Sequence, residues 1–255
     1  MTPQIKIIHI DSTGSTNDYI RQYREECLTN HDPQRYIVVV AEEQTAGRGS
    51  GKNTWESERE KNLTFSIIFR PQAVLPAEQY ILSMAIAVAV REAVEQIVFP
   101  LEGTPITVKW PNDIFIADEK VCGILMECSI RNNAIDHCII GVGLNVNQRS
   151  FVSDAPNPTS ICLHTDAETD REELLSDIIS RFCQQLDAIA SGHSPDMRML
   201  YRSHLYRRQG TWTFEDGEGR FEATIKEVAD DGHLVLVRSD GQTKSYDFHT
   251  VKFII

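Results

Sequence analysis

The chain has 255 residues, 41% of them hydrophobic, long enough for one large core with a smaller companion domain. Its 25 Lys and Arg against 37 Asp and Glu leave a formal net charge of -12, which gives no support to a broad nucleic-acid-binding surface. The amino terminus lacks the basic patch and long apolar run of a signal peptide, and the apolar stretch from Tyr80 to Val98 is broken by Ser83, Arg91, Glu92, Glu95 and Gln96, so it reads as a buried amphipathic helix and not a membrane span. The six cysteines, Cys27, Cys122, Cys128, Cys138, Cys162 and Cys183, show neither a paired short spacing nor a metal-site rhythm. They are expected to be free, mostly buried thiols in a reducing, cytoplasmic compartment.

In chain order, Ile5 to Ile10 suits a first strand, and Asn17 to Glu26 a helix that Ser15 or Thr16 can cap. Tyr36 to Ala41 is a β-branched run of central-strand length, Leu63 to Phe69 the next strand, and Ala77 to Val98 the longest helix. Four strand-like pieces follow closely: Ile106 to Trp110, Asp113 to Ala117, Lys120 to Ser129 and His137 to Leu144. Such close spacing predicts an antiparallel or mixed sheet in an α+β fold, not repeated crossovers. Phe151 to Ser160 reads as loop, Arg171 to Ala190 and Asp196 to Tyr206 as helices, and the texture changes from Gly210 to short strands with glycine turns, suited to a small β-barrel docked on the main domain.

Five segments carry possible chemistry. In EEQTAGRGSGKNTW, residues 42 to 55, glycines 47, 49 and 51 let the backbone approach an anion, Arg48 adds fixed donors and Lys52 a mobile charge. The spacing matches neither a nucleotide-hydrolase phosphate loop nor a dinucleotide fingerprint. In TVKWPNDIFI, residues 107 to 116, Pro111 fixes a corner presenting Lys109, Asn112 and Asp113, a set suited to phosphate, magnesium or a nucleotide edge. Lys120 opens a strand with Gly123 in its middle, where it could face a reacting carboxylate or phosphoryl group. Gly141 and Gly143 share one side of an extended segment, a shelf for a flat ligand ring, with Asn145 following on that side. The hydroxyls of STGSTN, residues 12 to 17, suit a polar heterocycle or simply a helix cap.

Together, STN at 15 to 17, EEQTAGRG at 42 to 49, Trp55, KWPND at 109 to 113, KVCGILME at 120 to 127 and GVGLNVN at 141 to 147 resemble, in that order, the catalytic domain of a biotin protein ligase. The resemblance implies a class II synthetase-like biotin/lipoate ligase catalytic fold over residues 1–207, with a mixed, mostly antiparallel central sheet flanked by helices, and a small SH3-like β-barrel over 208–255. It also implies an ATP- and magnesium-dependent enzyme that forms biotinyl-5'-AMP and passes biotin to a lysine of a biotin carboxyl carrier protein or domain, as a monomer or homodimer.

By the same resemblance Ser15, Thr16, Asn17 and Gln44 border the biotin pocket, and Gly123, Gly141 and Gly143 border the biotin ring or tail. Gly47, Arg48, Gly49 and Ser50 belong to the loop over the adenylate. Lys120, Arg48 and Lys109 are the catalytic candidates, Asn112 and Asp113 lie around ATP with Asp113 on magnesium, Asn145 holds the phosphate end, and Trp55 and Trp110 wall the adenosine. The family's loop often carries a second arginine where Ser50 stands, so adenylate retention is the point of departure. Only about ten residues precede STGSTN, too few for a helix-turn-helix, which predicts a ligase without a nucleic-acid partner. The nearest rival is a lipoate or octanoate ligase; Ser15, Thr16 and Gln44 offer more hydrogen bonds than an aliphatic acyl chain needs. A binding module that has kept the pocket without turnover is the non-enzymatic rival.

Overall fold

The computed structural model describes residues 4–29, 35–51, 53–152 and 157–255. A seven-stranded sheet is built from β1 (Gln4–Thr13), β2 (Arg35–Gln44), β3 (Leu63–Phe69), β4 (Ile106–Lys109), β5 (Asp113–Ile116), β6 (Glu119–Arg131) and β7 (Ala134–Leu144). Their order is β1-β2-β3-β7-β6-β5-β4, and every pair but the parallel β1–β2 is antiparallel. The expected mixed, mostly antiparallel sheet is therefore present.

The strands are buried on two faces because their alternation feeds two cores. In β2, Tyr36, Val38 and Val40 join the larger core, while Ile37 and Val39 join a smaller one. The larger core is covered by α3 (Tyr80–Glu102), α4 (Ile161–Thr165), α5 (Arg171–Ala190) and α6 (Ser194–Ser203). Helix α5 starts where the Asp170 carboxylate accepts from the Glu172 and Glu173 amides at 2.8 and 3.0 Å, satisfying two otherwise orphan donors. On the other face Ile20 and Cys27 pack on Ile37, Val39, Ile68 and Ile139. They belong to α1 (Thr16–Ile20) and α2 (Arg24–Thr29), separated by a tight turn over Arg21–Tyr23. The single helix expected over Asn17 to Glu26 is thus broken in two. None of the described helices is long and apolar enough to cross a membrane.

Two further sequence expectations need correction. Cys128 and Cys138 are not free thiols: they are directly opposite one another on β6 and β7 and form a disulfide, while Cys27, Cys122, Cys162 and Cys183 are free and buried. The last helix ends at Ser203, not Tyr206, because the next residues run beside β4. There Val108 N–H donates to the His204 carbonyl at 2.8 Å and Tyr206 N–H to the Val108 carbonyl at 2.9 Å. The loop expected over 151 to 160 falls partly outside the described residues.

A second sheet follows, with β8 (Trp212–Asp216), β9 (Gly219–Val228), β10 (Leu234–Arg238), β11 (Thr243–Tyr246) and β12 (Lys252–Phe253) in the order β11-β10-β9-β8-β12. It packs onto the main sheet's corner: Trp110 Nε1 donates to the Gly232 carbonyl at 2.9 Å, and the Trp110 ring stacks on Phe248 with centroids 5.5 Å apart. Trp110 is therefore buried between the two sheets.

Candidate active site

The middle of the large sheet carries a patch without side chains. Gly123 on β6 pairs with Gly143 on β7, which pairs with Thr64 on β3; in the next row Leu125 pairs with Gly141, and Gly141 with Ser66. The indole of Trp55 lies over Gly123 and Gly143, so closely that a Cβ at Gly143 would overlap its ring. A Cβ at Gly141 would overlap the Asn17 amide. The side-chain-free shelf is present, and the protein's own Trp55 and Asn17 lie against it. Trp55 Nε1 is buried without a hydrogen-bond partner, an orphan donor over the shelf.

Trp55 is placed by the glycine loop, which closes as a small hairpin. Gly49 N–H donates to the Asn53 carbonyl at 2.8 Å, Trp55 N–H to the Gly47 carbonyl at 2.9 Å, and Arg48 bridges Thr54. Lys52 lies outside the described residues. Arg48 Nη1 is 2.7 Å from Asp18 Oδ1 and Nη2 2.9 Å from Glu127 Oε1. Partial burial works against its charge, but the two carboxylates more than offset this and raise its pKa. Arg48 thus ties the loop to α1 and β6. Ser50, where a second arginine was expected, bonds through Oγ to His249 Nε2 of the second sheet at 2.9 Å.

At one end of the shelf the predicted polar residues satisfy one another. Gln44 Oε1 accepts from the Thr16 amide at 2.8 Å and from Thr16 Oγ1 at 3.0 Å. Ser66 Oγ lies 2.8 Å from Thr16 Oγ1 and 2.6 Å from Asn17 Oδ1, and Asn17 Nδ2 donates to Glu127 Oε2 at 2.9 Å. Ser15 is buried at the N-cap position of α1, yet its hydroxyl makes no capping bond.

At the other end the charges are concentrated. Lys120 Nζ is 2.7 Å from Asp113 Oδ2 and 5.8 Å from the centroid of the Trp55 ring. Lys109 lies over the rings of Phe115 and Phe253, at 5.4 and 5.2 Å. Burial lowers its pKa; Asp113 opposes the shift, while Lys120 and Arg207 add to it. The corner between β4 and β5 is held by Tyr80 and Tyr201, whose hydroxyls donate to the Pro111 carbonyl at 2.6 and 2.7 Å. Asn112 Nδ2 donates to Ser83 Oγ at 3.1 Å.

Asn145 follows β7 and is buried; its Nδ2 donates to the Thr159 carbonyl at 2.9 Å, while its Oδ1 is buried with no hydrogen-bond partner. Sequence reasoning missed Ser66, Glu127, Asp18 and His249. Ser66 had a signal, being one of two hydroxyls, with Thr64, in an otherwise apolar strand; the others are recognisable only from the pairing of distant segments. A cavity of about 350 Å³ beside Tyr36 and Phe69 lies at the opposite ends of β2 and β3 from this site.

The sequence profile of the Biotin/lipoate A/B protein ligase family matches residues 10–145, the segment that holds Thr16, Asn17, Gln44, Arg48, Trp55, Lys109, Asp113, Lys120 and the glycines of the shelf. The chain belongs to this family. Within it, the chain is 30% identical over 225 residues to the bifunctional ligase/repressor BirA of Bacillus spizizenii, covering 86% of this chain and 67% of the relative. It is 29% identical over 206 residues to the biotin--[acetyl-CoA-carboxylase] ligase of Paracoccus denitrificans, covering 78% and 82%. In structure it resembles the biotin protein ligase of Aquifex aeolicus in complex with biotin and ATP, with a TM-score of 0.76 and 24% identity over 98% of this chain and 99% of the other. The biotin/lipoate ligase fold thus extends through the second sheet.

Proposed function

We propose that this chain is a biotin protein ligase that makes biotinyl-5'-AMP from biotin and ATP and then biotinylates a lysine of a biotin carboxyl carrier domain. The observation that carries this reading is Lys120. Its ammonium stands at the edge of the glycine shelf, beside Trp55 and Asp113, in a chain of this family.

Biotin's ureido ring belongs at the end lined by Thr16, Asn17, Gln44 and Ser66, where hydroxyl and amide groups can exchange their mutual bonds for bonds to a ligand. Its carboxylate then points toward Lys120. A carboxylate oxygen attacks the α-phosphorus of ATP, the bond to the β-phosphate breaks, and pyrophosphate leaves. Lys120 and Lys109 stabilise the negative charge that builds on the phosphoryl oxygens. Arg48 exchanges Glu127 and Asp18 for the adenylate phosphate, and the hairpin of residues 47 to 55 excludes water from the mixed anhydride. The acceptor lysine's amine attacks the acyl carbon, AMP leaves, and an amide remains.

Among the described residues no group of three or more His, Cys, Asp or Glu side chains could cage a metal. Asp113 nevertheless fits magnesium, an ion that takes one or two protein carboxylates and completes its shell with phosphates and water. Bound there, it would neutralise phosphate charge. The reaction requires no membrane and no nucleic acid, and its expected setting is the cytoplasm.

Mass spectrometry of a purified biotin carboxyl carrier domain, incubated with the protein, ATP, magnesium and biotin, tests this. One biotin-sized adduct on a single lysine, lost without ATP, is the expected result. An adduct only with lipoate or octanoate moves the activity to the other branch of the family, and none with any acid overturns it.

A further inference from the structure

The cations at the corner between β4 and β5 outnumber the anions that could balance them. Lys120 is engaged by Asp113 at 2.7 Å, and the neighbouring Asp118 accepts from the Tyr206 hydroxyl at 2.6 Å. Among the described residues no carboxylate forms an ion pair with Lys109 or Arg207. Both cations border one aromatic group: Lys109 Nζ lies 5.2 Å from the Phe253 ring centroid, that ring is 6.3 Å from the Tyr206 ring, and the Arg207 guanidinium carbon is 5.1 Å from the Tyr206 centroid. Gathering like charges in a half-buried place costs free energy that a bound polyanion would offset.

Arg207 is brought there by the backbone. Leu205 runs parallel to Val108, so the strand that carries Lys109 and the segment that carries Arg207 advance side by side. At Arg207 the chain turns away with φ of 56°, a left-handed conformation that a non-glycine residue keeps only where its surroundings hold it. Here they do: the guanidinium carbon lies 4.5 Å from the Trp212 ring centroid and 5.1 Å from that of Tyr206, and Nη1 donates to the Ile254 carbonyl at 2.7 Å. Arg207 Nε is buried with no hydrogen-bond partner. A guanidinium fixed in place, with no carboxylate paired to it among the described residues, offers its remaining Nη donors to a phosphate.

We propose that Arg207 completes, with Lys109 and Lys120, a three-cation cradle for the pyrophosphate portion of the nucleotide. This rests on the nucleotide reading above and adds a binding residue at the junction of the two sheets. The cradle holds the leaving group, so Arg207 acts in adenylation and not in transfer to the acceptor.

The test compares the full-length protein with Arg207→Ala, Arg207→Gln and Arg207→Lys. Calorimetry with inorganic pyrophosphate measures the cradle directly, without biotin. Kinetics then give KM for ATP, KM for biotin, and the rate of transfer from preformed biotinyl-5'-AMP. Arg207→Ala and Arg207→Gln are expected to weaken pyrophosphate binding and raise KM for ATP about tenfold or more, the scale of a lost hydrogen bond to a charged group. Biotin KM and the transfer rate stay unchanged, and Arg207→Lys recovers part of the loss. Unchanged pyrophosphate binding in Arg207→Ala overturns the inference, as does an equal fall in every half-reaction, which would make Arg207 only a strut to Ile254. If the wild-type protein binds pyrophosphate through Arg207 but adenylates no biotin, the cradle stands and the biotin reading fails.

Discussion

The two ends of the glycine shelf are built on opposite principles. At the Gln44 end, Thr16, Asn17, Ser66 and Glu127 satisfy one another, and the network is closed before any ligand arrives. At the Asp113 end, Lys109, Lys120 and Arg207 crowd around too few carboxylates. A satisfied network supplies shape and rigidity, and its members give up existing bonds to bind a ligand. An unbalanced cluster supplies attraction, and a polyanion relieves a cost the free protein already bears.

The contrast can be broken most severely at the charged end. Lys120→Ala is expected to lower the adenylation rate by about 10²–10³-fold, the usual loss when a transition-state charge partner is removed, with far-ultraviolet circular dichroism unchanged. A variant that keeps its rate removes Lys120 from the chemistry. Gly143→Ala attacks the shelf between the two ends by driving a methyl group into the Trp55 indole. Overpacking of this kind costs about 1–3 kcal/mol. It should raise KM for biotin and shift tryptophan emission, and an unaltered spectrum with normal KM would mean that Trp55 yields freely.

Smaller effects are expected at the closed end. Ser66→Ala removes the hydroxyl shared by Thr16 and Asn17. At about 1 kcal/mol for a net hydrogen bond, KM for biotin should rise roughly fivefold while KM for ATP stays constant. If both rise together, the two ends are not independent. The mildest probe is pH. Burial lowers the Lys109 pKa, and an anion binds the protonated form, so raising the pH should weaken ATP binding before an ordinary lysine, of pKa about 10.4, would titrate. KM for ATP against pH, compared in Lys109→Arg, checks this; identical profiles would exclude Lys109 as the titrating group.

Much of the fold was legible because its strands announce themselves. The β-branched run of β2 and the all-buried LTFSIIF of β3 have strand length and turn-forming flanks. Sequence motifs also brought out Lys120, Arg48, Asp113 and the paired glycines. What sequence could not supply was pairing. Cys128 and Cys138 are ten residues apart and looked unrelated until the β6–β7 register set them opposite. Glu127 became the partner of Arg48 only when the loop folded across β6. Asn145 follows the end of β7, where alternation no longer governs direction, and the bond of its Nδ2 to the Thr159 carbonyl could not be read from the sequence.

The neighbourhood of β3 and β7 also sets an order of assembly. These adjacent strands are separated in sequence by α3, β4, β5 and β6, so the middle of the sheet joins segments made far apart in time. During synthesis, β1, β2 and β3 can pair early, yet the shelf does not exist until Leu144 has emerged, because Gly143 pairs with both Thr64 and Gly123. Until then β3 has an open edge of apolar residues in search of a neighbour. Long-range pairings of this kind tend to form late and leave apolar edges exposed meanwhile, and in this chain it is such a pairing that creates the site.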